Sequence, residues 1–258
     1  MPSPIKTTLI MKKIQLSLVA VLLLAVVACT KNTGSAPLTG SNVSNAEAAS
    51  MVAGSVSLNS NGVATIASDA TLDAFVIVNT PNSCGTIKSD SISRQSNAGA
   101  PFTYSYKLKY SFTVDCDVKN KPDSLSSILT YSGSFSGPKL SSSNTGSSYF
   151  TVNGLLPAAT AFVINGDYKR AGSFSSKVDT TNHGNSNVDI VINSLTVLKH
   201  SRSIVSGNAA ISVTGDVPKK GSFTYTGTLV FNNNGTATLT LNGTVYIINL
   251  SSGDCARV

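Results

Sequence analysis

The sequence predicts an all-β domain, an antiparallel meander that forms a curled sheet, an open barrel or a sandwich. Three observations carry that prediction. Apolar side chains recur at every second position over long runs. Gly/Asn/Asp/Pro clusters punctuate those runs, and stretches with a 3.6-residue apolar period are scarce. Side chains alternate faces along a strand, so a period of two with one wet face describes a sheet buried on one side.

In chain order, residues 30–50 are small, polar and aperiodic, as in a flexible tether. Ser55-Val56-Ser57-Leu58, Asn59-Ser60-Asn61-Gly62 and Val63-Ala64-Thr65-Ile66 then read as a first hairpin around a glycine-containing turn. The clearest strand is 103–116. Tyr104, Tyr106, Leu108, Tyr110, Phe112, Val114 and Cys116 share one face, and Ser105, Lys107, Lys109, Ser111, Thr113 and Asp115 share the other. Leu129, Tyr131, Gly133 and Phe135 repeat the pattern, and the short run Leu155–Ala161 is the best helical candidate. In 187–200 the apolar set changes phase, from Val188, Ile190 and Ile192 to Leu195 and Val197. A bulge at Asn193-Ser194, or burial of both faces, would produce that change. Val205 to Gly215 and Phe223 to Phe231 are further alternating strands, separated by the turn 216–221. Asn232–Gly235 is a turn, and Asn242-Gly243 suits either a two-residue hairpin turn or a bulge. Glycines at inward positions (Gly133, Gly172, Gly207, Gly227) fit strong curvature or close packing. Gly-Ser-Phe recurs at 133–135, 172–174 and 221–223, but its unequal spacing argues against a true repeat array.

The N-terminal segment has a different character. Met11-Lys12-Lys13 is basic, and Ile14–Val27 is apolar apart from Gln15 and Ser17. The run is shorter than the roughly 20 residues of a transmembrane helix, and its layout is that of a secretory signal with its start at Met11. Val26-Val27-Ala28-Cys29 resembles the lipobox of bacterial lipoproteins, with Val27 larger than the usual alanine or serine. The resemblance covers residues 11–29 alone. It implies removal of residues 1–28, diacylglycerol on Cys29, and a membrane as partner through that lipid. It also implies a place in the cell envelope. Thr30 is not the aspartate that retains such proteins at the inner membrane of enteric bacteria, which favours the outer membrane. The expected organisation is signal 1–28, lipidated cysteine and tether 29–50, and one β-rich domain 51–258.

Loss of Lys6, Lys12 and Lys13 with the signal takes the basic count from 19 to 16 against 12 acids, so the net charge falls from +7 to +4. A scattered surplus of that size sets solubility. Nucleic-acid binding wants clustered Lys/Arg, so no nucleic-acid partner is expected. With Cys29 on lipid, Cys84, Cys116 and Cys255 remain in an oxidising compartment, room for one disulfide and one thiol. Cys84–Cys116 closes the shortest loop and is the preferred pair; Cys255 is the alternative partner for either.

Catalytic chemistry finds little support. No Gly-x-Ser-x-Gly elbow, Cys-x-x-Cys, His-x-x-x-His, calcium loop or phosphate-cradling glycine loop is present. His183 and His200 sit in turn-like contexts with no base or orienting partner in sequence. Asp115-Cys116-Asp117 puts both carboxylates on the wet side of a strand end, where a solvated turn is the preferred reading over a cation site. No catalytic residue, metal or cofactor is assigned. Asp90-Ser91-Ile92, Asp123-Ser124-Leu125 and Asp179-Thr180-Thr181 are similar to the O-glycosylation sequon of some Gram-negative bacteria. Tyr104, Tyr106 and Tyr110 form either a stacking platform or part of the core, and the apolar residues beside them favour the core. Two functional expectations follow: a non-catalytic structural or binding module of the envelope, or a carrier of an apolar ligand within the curled sheet.

Overall fold

The computed structural model describes residues 43–80 and 83–258. The signal segment, Cys29 and the first part of the tether lie outside the described residues. Described first are two helices, α1 (Asn45–Val56) and α2 (Val63–Val78), joined by the short 3-10 turn Leu58–Ser60. Eleven strands follow: β1 (Ile87–Gln95), β2 (Thr103–Cys116), β3 (Pro122–Ser136), β4 (Leu140–Asn153), β5 (Ala161–Ser176), β6 (His183–Leu198), β7 (Ile204–Val217), β8 (Gly221–Phe231), β9 (Thr236–Leu241), β10 (Thr244–Asn249) and β11 (Cys255–Arg257). They form one antiparallel sheet in the order of the chain, β1 through β11, and the sheet curls without closing. The predicted curled meander is the fold.

The clearest predicted strand is β2 end to end. Tyr106, Leu108, Phe112 and Val114 are buried, while Ser105, Lys107 and Lys109 face solvent. The phase change in β6 is a bulge: Ser194 sits at φ 54°, and pairing to β7 jumps from Asn193↔Asn208 to Thr196↔Ser206. One extra residue flips the alternation, which moves the buried set from Ile192 to Leu195. Asn242 (φ 45°) and Gly243 (φ 78°) are both left-handed, as a two-residue turn between β9 and β10 requires.

Elsewhere the structure departs from the sequence reading. The expected hairpin at 55–66 is the end of α1, the 3-10 turn and the start of α2, and residues 45–50, expected in the tether, open α1. Leu155–Ala161 is a turn-rich connection rather than a helix. The reason lies in burial. In α1, Ala48, Ala49, Met51, Val52, Ala53, Gly54, Ser55 and Val56 are all buried, so no polar stripe marks a helical period. The start of α1 was nonetheless written locally. Ser44 caps it, the Glu47 N–H donates to Ser44 Oγ (3.2 Å), and the Ser44 N–H donates to Glu47 Oε2 (2.9 Å).

Both helices lie against the inner face of the sheet and complete the core. Small residues permit that approach: a Cβ at Gly54 would lie 2.6 Å from Cζ of Phe135. On the sheet itself a Cβ at Gly133 would collide with the Tyr106 ring, so the aromatic of one strand lies over the glycine of the next. Inward glycines therefore serve close packing, as the alternation implied.

Candidate functional site

The most concentrated chemistry lies under the helices, around Arg170 on β5. β5 alternates, and its inner positions carry Phe162, Ile164, Tyr168, Arg170 and Phe174. A charge at an inner position needs partners, because burying an uncompensated ion costs several kcal/mol. Here the partners are neutral. The guanidinium donates through Nη1 to the Gly54 carbonyl, through Nη2 to the carbonyls of Ser60 (2.6 Å) and Asn61 (3.4 Å), and through Nε to Tyr131 Oη (3.2 Å). Gly54 belongs to the last turn of α1, which has no basic residue of its own. A cation reaching in from the sheet thus meets the Gly54 carbonyl, which also accepts from Ser60 Oγ, at the negative end of a helix.

Aromatic faces complete the cage. Ring centroids of Phe135, Tyr168 and Tyr131 lie 5.3, 5.6 and 5.9 Å from the guanidinium carbon. Tyr131 stacks on Tyr168 with centroids 5.9 Å apart and meets Tyr106 edge-on at 5.7 Å. The Tyr131 hydroxyl donates to Tyr168 Oη (2.6 Å), and the Tyr168 hydroxyl donates in turn to the Asn61 carbonyl (3.4 Å). Burial pushes the phenols of Tyr168 and Tyr106 above the ordinary tyrosine range, against the opposing pull of Arg170, so both stay neutral. The side chains of Asn61 and Ser148, and Oδ1 of Asn144, are buried without a hydrogen-bond partner. This cluster ties the helix pair to the middle of the sheet. It holds no carboxylate and no nucleophile–base pair, so it fits an anchoring role rather than acid–base chemistry.

A second polar link fixes the start of α1. Glu47, the one glutamate, is buried, and Asn182 Nδ2 donates to both its oxygens at 3.1 Å. Lys220 Nζ donates to Asn182 Oδ1 (2.8 Å). Burial raises the Glu47 pKa, but hydrogen bonds from Ser176, Ser44 and Asn182 outweigh it and hold the carboxyl below its ordinary value. A depressed folded pKa contributes stability that is complete above the unfolded pKa, about 4.3, and is lost as pH falls through the folded value. Urea midpoints measured from pH 6 down to 3 should therefore fall more steeply for the natural chain than for Glu47→Gln. Parallel curves would remove Glu47 from the acid response.

The residues singled out by sequence are dispersed. Cys84 and Cys116 are joined as a disulfide across the start of β1 and the end of β2, and Cys255 is a buried free thiol. His183 and His200 are exposed at opposite ends of β6. Asp115 accepts from Ser126 Oγ (2.7 Å) across to β3, and Asp117 accepts the N–H groups of Lys119 (2.8 Å) and Lys121 (2.9 Å) in the turn, so the two carboxylates serve separate contacts. Tyr106 is buried in the core, with Tyr104 and Tyr110 half-buried beside it. Of the sequon hydroxyls, Ser91 and Thr180 are exposed and Ser124 is half-buried. Among the described residues no three His, Cys, Asp or Glu side chains converge, and no helix is long and apolar enough to cross a membrane.

Sequence reasoning passed over Arg170 and Glu47. The signal for Arg170 was a charge at an inner position of an alternating strand, two residues after Tyr168. That for Glu47 was the Ser-x-x-Glu spacing before an alanine-rich run. The outer face offers two shallow troughs of about 520 and 590 Å³. Ser105, Ser134 and Ser143 stand side by side on neighbouring strands and line both, and Ser173 continues the row in the first. Compared with protein families, curated proteins and solved structures, the chain matches none.

Proposed function

We propose that the protein is a non-catalytic binding or structural module of the cell envelope, held at a membrane by lipid on Cys29. Its outer sheet face would be turned to a partner. The observation that carries this reading is the contrast between the two faces. The inner face is taken up by the chain's own helices, while the outer one over β2–β6 is an open array rich in hydroxyl and amide side chains, interrupted by exposed lysines and by Ile128, Tyr149 and Val191. Such a surface meets a partner through many weak hydrogen bonds, without a deep pocket. Residues 30–42 can reach at most about 45 Å when fully extended, enough to hold the domain clear of a bilayer surface. The carrier reading has less support, because an apolar ligand would have to displace α1 and α2 together with the Arg170 contacts.

Metabolic labelling with a fatty-acid probe tests the anchor. The natural chain should take up label and sediment with membranes, and Cys29→Ser should do neither. Equal labelling of both would overturn the proposal. Native mass spectrometry of protein released from its own membrane tests the module: an acyl-chain ligand retained after release would favour the carrier reading instead.

A further inference from the structure

The two edges of the sheet are unlike. β11 presents three residues, Cys255–Arg257, whereas β1 presents nine, Ile87–Gln95. Every β1 residue pairs with β2 in one unbroken register, and β1 contains neither proline nor bulge. Ser96 N–H donates to Tyr104 and Val114 N–H donates to Thr86, which places the even-numbered residues of β1 in hydrogen-bonded pairs with β2. The odd-numbered residues Ile87, Ser89, Ser91, Ser93 and Gln95 therefore turn their N–H and C=O groups to the free edge. Ser91 N–H is occupied there by the carboxylate of its own neighbour, Asp90 Oδ1, at 2.7 Å. A long, unbroken row of this kind is a template for another strand.

The side chains of β1 select the strand that fits. Lys88, Asp90, Ile92 and Arg94 share the inner side, and Ser89, Ser91, Ser93 and Gln95 share the outer one. Consider a second copy laid antiparallel with Ile92 opposite the partner's Ile92. Asp90 then comes opposite the partner's Arg94, a guanidinium that in each chain already holds Asp69 of α2 at 2.8 Å. The incoming carboxylate extends an existing ion pair, and Ser91 N–H exchanges its Asp90 contact for a ladder hydrogen bond with the partner's Ser93. Other centres are less favourable. Centring on Ser91 sets Lys88 against the partner's Arg94, and centring on Asp90 brings two carboxylates together, both unfavourable like-charge pairs. Centring on Ser89 keeps Lys88 opposite the partner's Asp90 but pairs only Ile87–Ser91, a shorter ladder. Leu72, 45% exposed on α2, lines the same cleft as Ile92 and Arg94 beside the carboxylates Asp69 and Asp73, and Phe75 and Val76 extend its apolar stripe. The paired strands thus gain an apolar neighbour on their inner side.

We propose that β1 is the contact of a two-fold homodimer, formed by antiparallel pairing of Ile87–Gln95 across Ile92. The short opposite edge makes this a closed pair and not a growing fibre, since only one edge per chain can accept a long strand. This inference does not depend on the lipid anchor.

Cysteine cross-linking in the whole producing cell, read in soluble and membrane fractions alike, tests it on the full chain. At a non-hydrogen-bonded antiparallel pair the Cα atoms stand about 4.5 Å apart, within disulfide reach. Ile92→Cys should give a disulfide-linked dimer under mild oxidation. Lys107→Cys, on the outer face of the covered strand β2, should give no more than the parent chain. Adding Asp90→Arg to Ile92→Cys should abolish the dimer, and adding Arg94→Asp as well should restore it. A monomeric Ile92→Cys chain, or a dimer indifferent to charge reversal, would overturn the proposal. So would cross-linking of the Ile92→Cys chain to a different protein, which would assign the edge to another partner.

Discussion

Arg170→Met should lower the free energy of unfolding by about 3–5 kcal/mol, as expected when several hydrogen bonds from one buried charged donor are lost together and one acceptor is left without a partner. The Ser60 carbonyl would remain buried without its donor, while the Gly54 carbonyl would keep only Ser60 Oγ and the Asn61 carbonyl only Tyr168 Oη. Methionine fills much of the space, so packing loss is a minor part of the change. For a domain of this size the melting temperature should drop by on the order of 10 °C. Arg170→Lys should recover only part of the loss, because an ammonium on a flexible stem cannot reproduce the planar fork. Urea unfolding followed by far-ultraviolet circular dichroism measures the difference; the chain has no tryptophan to report it. Hydrogen exchange should rise first in residues 45–78 and least in β7–β9, which do not touch the guanidinium. A loss below about 1 kcal/mol would mean that water replaces the guanidinium, and the anchoring role would fail.

Removing the Cys84–Cys116 bridge with the double change Cys84→Ser/Cys116→Ser should cost about 3–4 kcal/mol. That is the chain-entropy value for a loop of this length, the cysteines being 32 residues apart. Treating the natural chain with a thiol reductant should bring its urea midpoint to that of the double variant. Cys255 should not interfere: burial pushes its thiol up to about 11, although Lys139 pulls the other way, so little thiolate is present to attack the bridge. The loss should be concentrated at β1, which pairs with one strand only, and exchange there should accelerate beyond that of β4–β6. A midpoint unmoved by reductant would show that β1 holds its place without the bridge.

How far the sequence spoke depended on whether an element has a wet side. β2 was legible to its last residue because lysines and serines alternate with aromatics along one exposed face. The bulge at Asn193-Ser194 was legible for the same reason, since an extra residue leaves a visible slip in a period of two. The helices were not legible. Residues of α1 are covered nearly all round, and the stretch Val56-Ser57-Leu58 mimics a strand by chance. α2 does have an exposed stripe, but Leu72, Phe75 and Val76 make it apolar, which erases the contrast that reveals a helix. The Arg170 cage draws acceptors from Gly54, Ser60 and Asn61, more than a hundred positions away, and no local pattern announces such a meeting.

The strand order has a further consequence for how the molecule is made. Because each strand of the sheet pairs with its neighbours in sequence, the sheet can assemble progressively as the polypeptide leaves a ribosome or a translocation pore, one hairpin at a time. The helix pair is different. It is synthesised before the sheet, yet its hydrogen-bond donor in the sheet, Arg170, is not made until β5 has emerged. During that interval its apolar surface has no lasting cover, which makes this early stage the one most exposed to misassembly. Arrival of residue 170 converts a waiting helical hairpin into the core of the domain.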